Sequence, residues 1–268
     1  MLSPIRAPAV AGSFYPGSRA ELSALVDDLL RNAAPGKAPQ APKAIVAPHA
    51  GYVYSGPIAA SAFKLFEPIS RSIQRVVLLG PAHRVFIEGL AAPGVHALAT
   101  PLGHLEVDRE ALELVPEVPD DPRAHAREHS LEVELPFVQR VAPHAKIVPL
   151  VIGHASPETV GRVLLRLWGG PETRIVVSSD LSHYLPYNEG RQQDTRTARK
   201  ICSLINYPIG PEEACGAMGI NGLLWVVRHK HLRAELIDLR SSGDTAGPRD
   251  EVVGYGAFAF YEEAPPSP

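Results

Sequence analysis

Cysteine is nearly absent from this chain of 268 residues, and the two present, Cys202 and Cys215, belong to no C-x-x-C motif. A disulfide framework cannot be the basis of so large a fold, and buried, inert thiols are the expected state. Long apolar runs are also missing. No stretch approaches the roughly 20 residues that a transmembrane helix needs, and Met1–Ser13 lacks the apolar centre of a signal peptide. The expectation is a soluble, cytoplasmic protein with no membrane partner. Lysine and arginine occur only singly or in scattered pairs and the net charge is -3, so the electrostatic footprint of a nucleic-acid binder is lacking. There is no internal repeat and no low-complexity tract.

What remains is ordinary globular composition, with 45% hydrophobic and 21% charged residues, enough to bury a proper core as one domain spanning residues 1–268. Aliphatic runs bounded by Gly, Pro and Ser predict strands at Ala44–Ala47, Arg75–Gly80, Lys146–Ile152, Arg174–Ser179, Glu235–Leu239 and Val252–Phe260. Ser18 and Glu21 form a capping box ahead of Leu22, Leu25, Val26 and Leu29, which predicts a first helix. Further helices are expected near Pro57–Leu65, Leu131–Val141, Pro157–Leu167, Gly190–Leu204 and Pro211–Val227, with Pro157 and Pro211 at first helical positions. The tail Glu262–Pro268 reads as frayed. This alternation predicts an α/β fold with a mixed, mostly parallel central sheet flanked by helices, in which VVGYGAFAFY supplies an antiparallel strand.

Four of the strand runs end on chemistry: IVAPHAG places His49, VVLLGPAH places His83, IVVSSDLSH places Asp180 and His183, and LIDLRSSGD places Asp244. Groups just beyond the carboxyl ends of parallel strands converge on one crevice. Two histidines and one carboxylate suit a non-haem Fe(II) centre, with Zn, Mn or Cu also compatible. Any one such histidine could instead cap a helix or bond a loop carbonyl. His183 can serve as a general base, with Asp180 orienting it, unless Asp180 is spent on capping its own turn. A Ser-His-Asp triad from the same segment is disfavoured because G-x-S-x-G is absent. His125, Glu128 and His129 fit the H-x-x-E-H zinc-protease pattern, but their segment is polar and broken by proline. Glu128 and His129 are better read as a cover over the crevice that supplies supporting hydrogen bonds. Tyr52 and Tyr54, in a tight GYVYSG turn, line the pocket, and Cys215 is a further candidate for contact with a substrate.

Several blocks together, AVAGSFYP, APHAGYVYSGP, LGPAHRV, EHSLEVELPF, SSDLSHY and ACG, resemble the Memo family over almost the whole chain. That family is similar in fold to class III extradiol dioxygenases, in which two histidines and a carboxylate hold iron and another histidine acts as base. The resemblance implies His49 and His83 as ligands, His183 as base and Asp244 at the third ligand position, where animal members carry a cysteine. It also implies AMMECR-like and radical SAM proteins as partners. The leading expectation is a non-haem iron oxidoreductase acting on a small molecule, with metal at His49, His83 and Asp244. His183, Asp180 and His129 would then be catalytic, and Tyr54, Glu128 and Cys215 would contact substrate. The rivals are an accessory protein that binds a peptide, metal or radical SAM partner in the same crevice, and a zinc hydrolase. The phosphopeptide binding linked to animal relatives finds no arginine cluster near these motifs to support it.

Overall fold

A computed structural model describes residues 3–36, 38, 40–204 and 208–262. In chain order the elements are β1 (Ser3–Arg6), α1 (Arg19–Asn32), β2 (Ala44–Ala47), α2 (Tyr52–Phe63), β3 (Arg75–Pro81), β4 (Leu90–Ala91), β5 (Val95–Thr100) and β6 (Gly103–Glu106). Short α3 (Arg109–Leu112) and α4 (Pro122–Ala126) precede α5 (Leu135–Val141), β7 (Lys146–Ile152), α6 (Pro157–Leu167), β8 (Thr173–Ser178) and β9 (His183–Leu185). The chain continues with α7 (Tyr187–Ser203), α8 (Ala217–His229), β10 (Arg233–Ser241) and β11 (Val252–Tyr261).

The main sheet runs β10-β11-β2-β8-β3-β7-β4. Strands β2, β8, β3 and β7 are mutually parallel, whereas β11 is antiparallel to both its neighbours and β4 is antiparallel to β7. The parallel strands read as unbroken aliphatic runs because helices cover both faces, and only residues at the strand ends, such as Lys146 and Arg75, reach water. Helix α2 packs on β2, β10 and β11 with α1 against it, α8 packs on β3 and β8 with α6 behind it, and α7 lies on β10 and β11. Helix α1 begins as its capping box predicts: Ser18 Oγ accepts the backbone N–H of Glu21, and Leu22, Val26 and Leu30 are buried. Added Cβ atoms on Gly161 of α6 and Gly222 of α8 would run into Trp225 and Val160, so the two helices approach closely there.

The mixed sheet flanked by helices is the predicted architecture. The differences are local. Helix α2 starts at Tyr52, so GYVYSG is the helix's first turn and Pro57 lies inside it. Pro211 opens no helix, since α8 begins only at Ala217 with Gly216 as its cap. A second, three-stranded sheet, β1-β5-β6, escapes the sequence reading. The predicted frayed tail lies outside the described residues beyond Glu262. Among the described residues no helix is long and apolar enough to cross a membrane.

Candidate metal centre

Register explains why distant residues meet. Strand β8 lies between β2 and β3, with Ala47 opposite Ser178 and Leu79 opposite Val177. Three adjacent strands therefore end level, and the residues just beyond them, His49, Asp180 and His83, are delivered to one edge. The rings of His49 and His83 stand 5.2 Å apart between centroids. A third imidazole comes from the segment after α4: His129 stacks on His83 at 4.7 Å and lies edge-on to His49 at 5.5 Å. One ligand atom from each of His49, His83 and His129 falls within 4.8 Å of the others.

Two of the three rings are oriented by a hydrogen bond on the far nitrogen. His49 Nδ1 is 2.7 Å from Ser178 Oγ, which leaves Nε2 facing the cleft. His83 Nδ1 donates to Glu128 Oε1 at 2.9 Å, the carboxylate-histidine arrangement that fixes metal ligands. Glu128 also accepts the backbone N–H groups of His83, His129 and Ser130. Burial would push its carboxyl up, but these hydrogen bonds prevail and hold it down at about 2. His129 Nδ1 is buried, lies 3.3 Å from Glu128 Oε1 out of line for a hydrogen bond, and finds no hydrogen-bond partner among the described residues. Burial, with the neighbouring histidines, keeps His49 neutral well below its ordinary range, and burial lowers His129 to about 4. Both rings thus keep lone pairs to offer at neutral pH.

The segment carrying His129 is anchored from the N-terminus. Arg6 of β1 donates to the carbonyls of His125 and Glu128 and to Glu132 Oε2. Glu132 in turn takes the N–H groups of Ala9 and Val10 and the Tyr15 hydroxyl. This clamps the AVAGSFYP segment so that Phe14 packs on His129, with ring centroids 4.8 Å apart. The second sheet, invisible in the sequence pattern, thereby supports the site.

Not every expected residue joins the cluster. Asp244, expected as the third ligand, sits in a short helical turn after β10. There its Oδ2 accepts from Ser241 N and Oγ, and its Oδ1 from the Tyr187 hydroxyl. One oxygen is spent on the capping box and the other on Tyr187, and Asp244 is not in the group with His49 and His83, where His129 is found instead. Asp180 does not orient His183: its Oδ1 accepts the backbone N–H of His49 at 2.8 Å and so shapes the turn after β2. Burial raises Asp180 to about 7. His125 points away, with Nε2 on the Ala91 carbonyl, so the H-x-x-E-H reading fails on geometry. Cys215, just ahead of α8, places Sγ 3.4 Å from His49 Nε2, and burial raises its thiol to about 12.

The donors open into a cleft of about 890 Å³ lined also by Phe14, Tyr54, Arg84, His183, Tyr184 and Tyr255. His183 is pushed down by burial. Phe14, Ser178, Glu134 and Tyr255 were missed as site residues. Ser178 was within reach, since IVVSS ends a strand on a hydroxyl.

The family model described as Memo-like protein matches residues 6–259. A MEMO1 family protein of Aquifex aeolicus is 37% identical over 96% of this chain and 99% of its own length. MEMO1 family proteins of Archaeoglobus fulgidus, at 35%, and Nitrosopumilus maritimus, at 34%, are matched over the same shares. With a family model matched over nearly its whole length and relatives above 30% identity, the chain belongs to the Memo-like family.

Proposed function

We propose that this protein is a metal-dependent oxidoreductase acting on a small, aromatic substrate, with Fe(II) as the metal and Zn or Cu as the alternatives. The observation that carries the proposal is the group of three converging imidazoles, two of them tied back by their Nδ1 atoms and the third with a buried Nδ1 that has no partner. Such a donor set fits a divalent transition metal. Ligands about 2.1 Å from a metal sit roughly 3–4 Å apart, so only a small inward movement of the rings is needed. His49 and His83 would bind through Nε2, with His129 beside them and the Cys215 thiol at the edge.

Bound iron would supply dioxygen and one-electron chemistry to a substrate held next to it. The protein's own groups do the rest. Phe14, Tyr54 and Tyr184 give a ring-shaped substrate flat surfaces to lie against. His183, neutral in the same cleft, can take a proton from an acidic substrate hydroxyl. Glu128 holds His83 and the His129 backbone in register throughout.

The test is metal content by mass spectrometry on anaerobically purified protein. Iron should approach one per chain in the wild type, fall away in His49→Ala, His83→Ala and His129→Ala, and persist in Asp244→Ala. Iron retained in the three histidine variants would overturn the assignment. Oxygen uptake with a panel of catechols then separates an oxidoreductase from a zinc hydrolase, whose turnover would not depend on dioxygen.

A further inference from the structure

Ser178 Oγ has three close polar neighbours: His49 Nδ1 at 2.7 Å, the Ser130 carbonyl at 2.6 Å and Glu134 Oε1 at 2.7 Å. All four residues are essentially sealed from solvent. A serine hydroxyl carries one hydrogen and two lone pairs. The carbonyl of Ser130 has no hydrogen of its own, so the hydroxyl proton must point to it. The other two contacts can be hydrogen bonds only if His49 and Glu134 each bring a proton.

We infer that Glu134 is a neutral carboxylic acid that donates to Ser178 and acts as a positioning residue for His49. With Ser178 donating once and accepting twice, its rotamer is fixed and it receives Nδ1–H of His49, which leaves the Nε2 lone pair turned to the cleft. Two further observations agree. Glu134 Oε2 is buried without a partner, which is tolerable for a carbonyl oxygen and costly for half of a carboxylate. Burial favours the protonated form and outweighs a Ser178 hydrogen bond that would favour the anion, the nearby Asp180 carboxyl acts in the same sense as burial, and no Lys or Arg bond to Glu134 is present among the described residues.

The site then backs its two Nδ1-bonded histidines differently. His83 leans on an ionised carboxylate, and His49 leans on an uncharged Ser-acid pair. His83 is the more electron-rich donor, and of the two groups that hold the Nδ1 atoms only Glu128 is charged. A second anionic carboxylate there would place two like charges behind adjacent imidazoles.

The proton count stands without any metal. Its effect on affinity rests on the proposed metal site, so two measurements are needed. The infrared spectrum of the wild-type protein at neutral pH should show a carboxylic acid carbonyl band that shifts in D₂O and is missing from Glu134→Gln. No band dependent on Glu134 would overturn the neutral acid.

The second measurement is calorimetric titration with Zn(II) alone. Glu134→Gln keeps a hydrogen donor toward Ser178 and should bind within a few-fold of wild type. Glu134→Leu removes the donor and should weaken binding by about 10–100-fold, the scale of lost support behind a ligand. Equal affinity in all three proteins, or equal loss in both variants, would overturn the positioning role. Wild type that binds no Zn(II) would sink the metal site of the proposed function, while the infrared band would still decide the state of Glu134.

Discussion

At the scale of single residues, the centre depends on which carboxylates are free and which are already committed. Asp244 shows how one motif carries two readings. SSGD at a strand end looks like a ligand position, yet a serine followed three residues later by an acid is also the signature of a helical cap, and that is what forms. Glu128 has the opposite history, since its part in supporting the crevice was legible from its place beside His129. Its four N–H donors leave no room for an amide NH₂. Glu128→Gln should therefore turn a donor against a donor and weaken Zn(II) binding by about 10–100-fold in a competition titration. Unchanged affinity would mean that His83 is not a ligand. The sequence places His129 at the crevice as a covering and catalytic residue but not among the metal donors, because that position depends on where the polar loop after α4 lands, and Arg6, more than a hundred positions earlier, fixes that landing.

At the scale of elements, strands were legible and supports were not. Runs such as VVLL and IVVS can hide their side chains only inside a two-sided sheet, so their character survives in the sequence. The short strands β1, β5 and β6 carry no such run and are held by pairing that only the folded chain supplies. The start of α2 was misplaced because two glycines and two tyrosines look like a turn, although Gly51 is simply the cap. The α6-α8 contact yields a clear expectation. Gly222→Ala would push a methyl into Val160, forcing apart the helix that follows Cys215 from its neighbour. Such overpacking costs about 1–3 kcal/mol, readable as a lower urea midpoint with unchanged slope. A neutral result would show that α6 can slide freely.

For the molecule as a whole, acid should be the destabilising direction. His125 is buried with its Nε2–H on the Ala91 carbonyl, and desolvation depresses its pKa from 6.5 to about 4. Between those values the unfolded chain takes up a proton that the folded one refuses. Stability from this residue is complete above 6.5 and drains away as the pH falls toward 4, by up to about 3 kcal/mol. His49, His129 and His183 are depressed in the same sense. Urea unfolding across that window should therefore show a shallower acid loss for His125→Gln than for wild type. Parallel curves would mean that His125 titrates normally in the folded protein.

The place of β11 between β2 and β10 bears on how the protein is born. A chain leaving the ribosome has already released His49, His83, His129 and Ser178 when β10 emerges, and β10 has no partner in the sheet except β11. The stretch that closes the cleft, with Ser242, Pro248, Val253 and Tyr255, comes later still. The imidazoles can thus gather while one wall is still being translated, and during that interval they lie open to whatever ions the surroundings contain. The order of synthesis thus puts the donors in the chain before the last wall of their cleft exists.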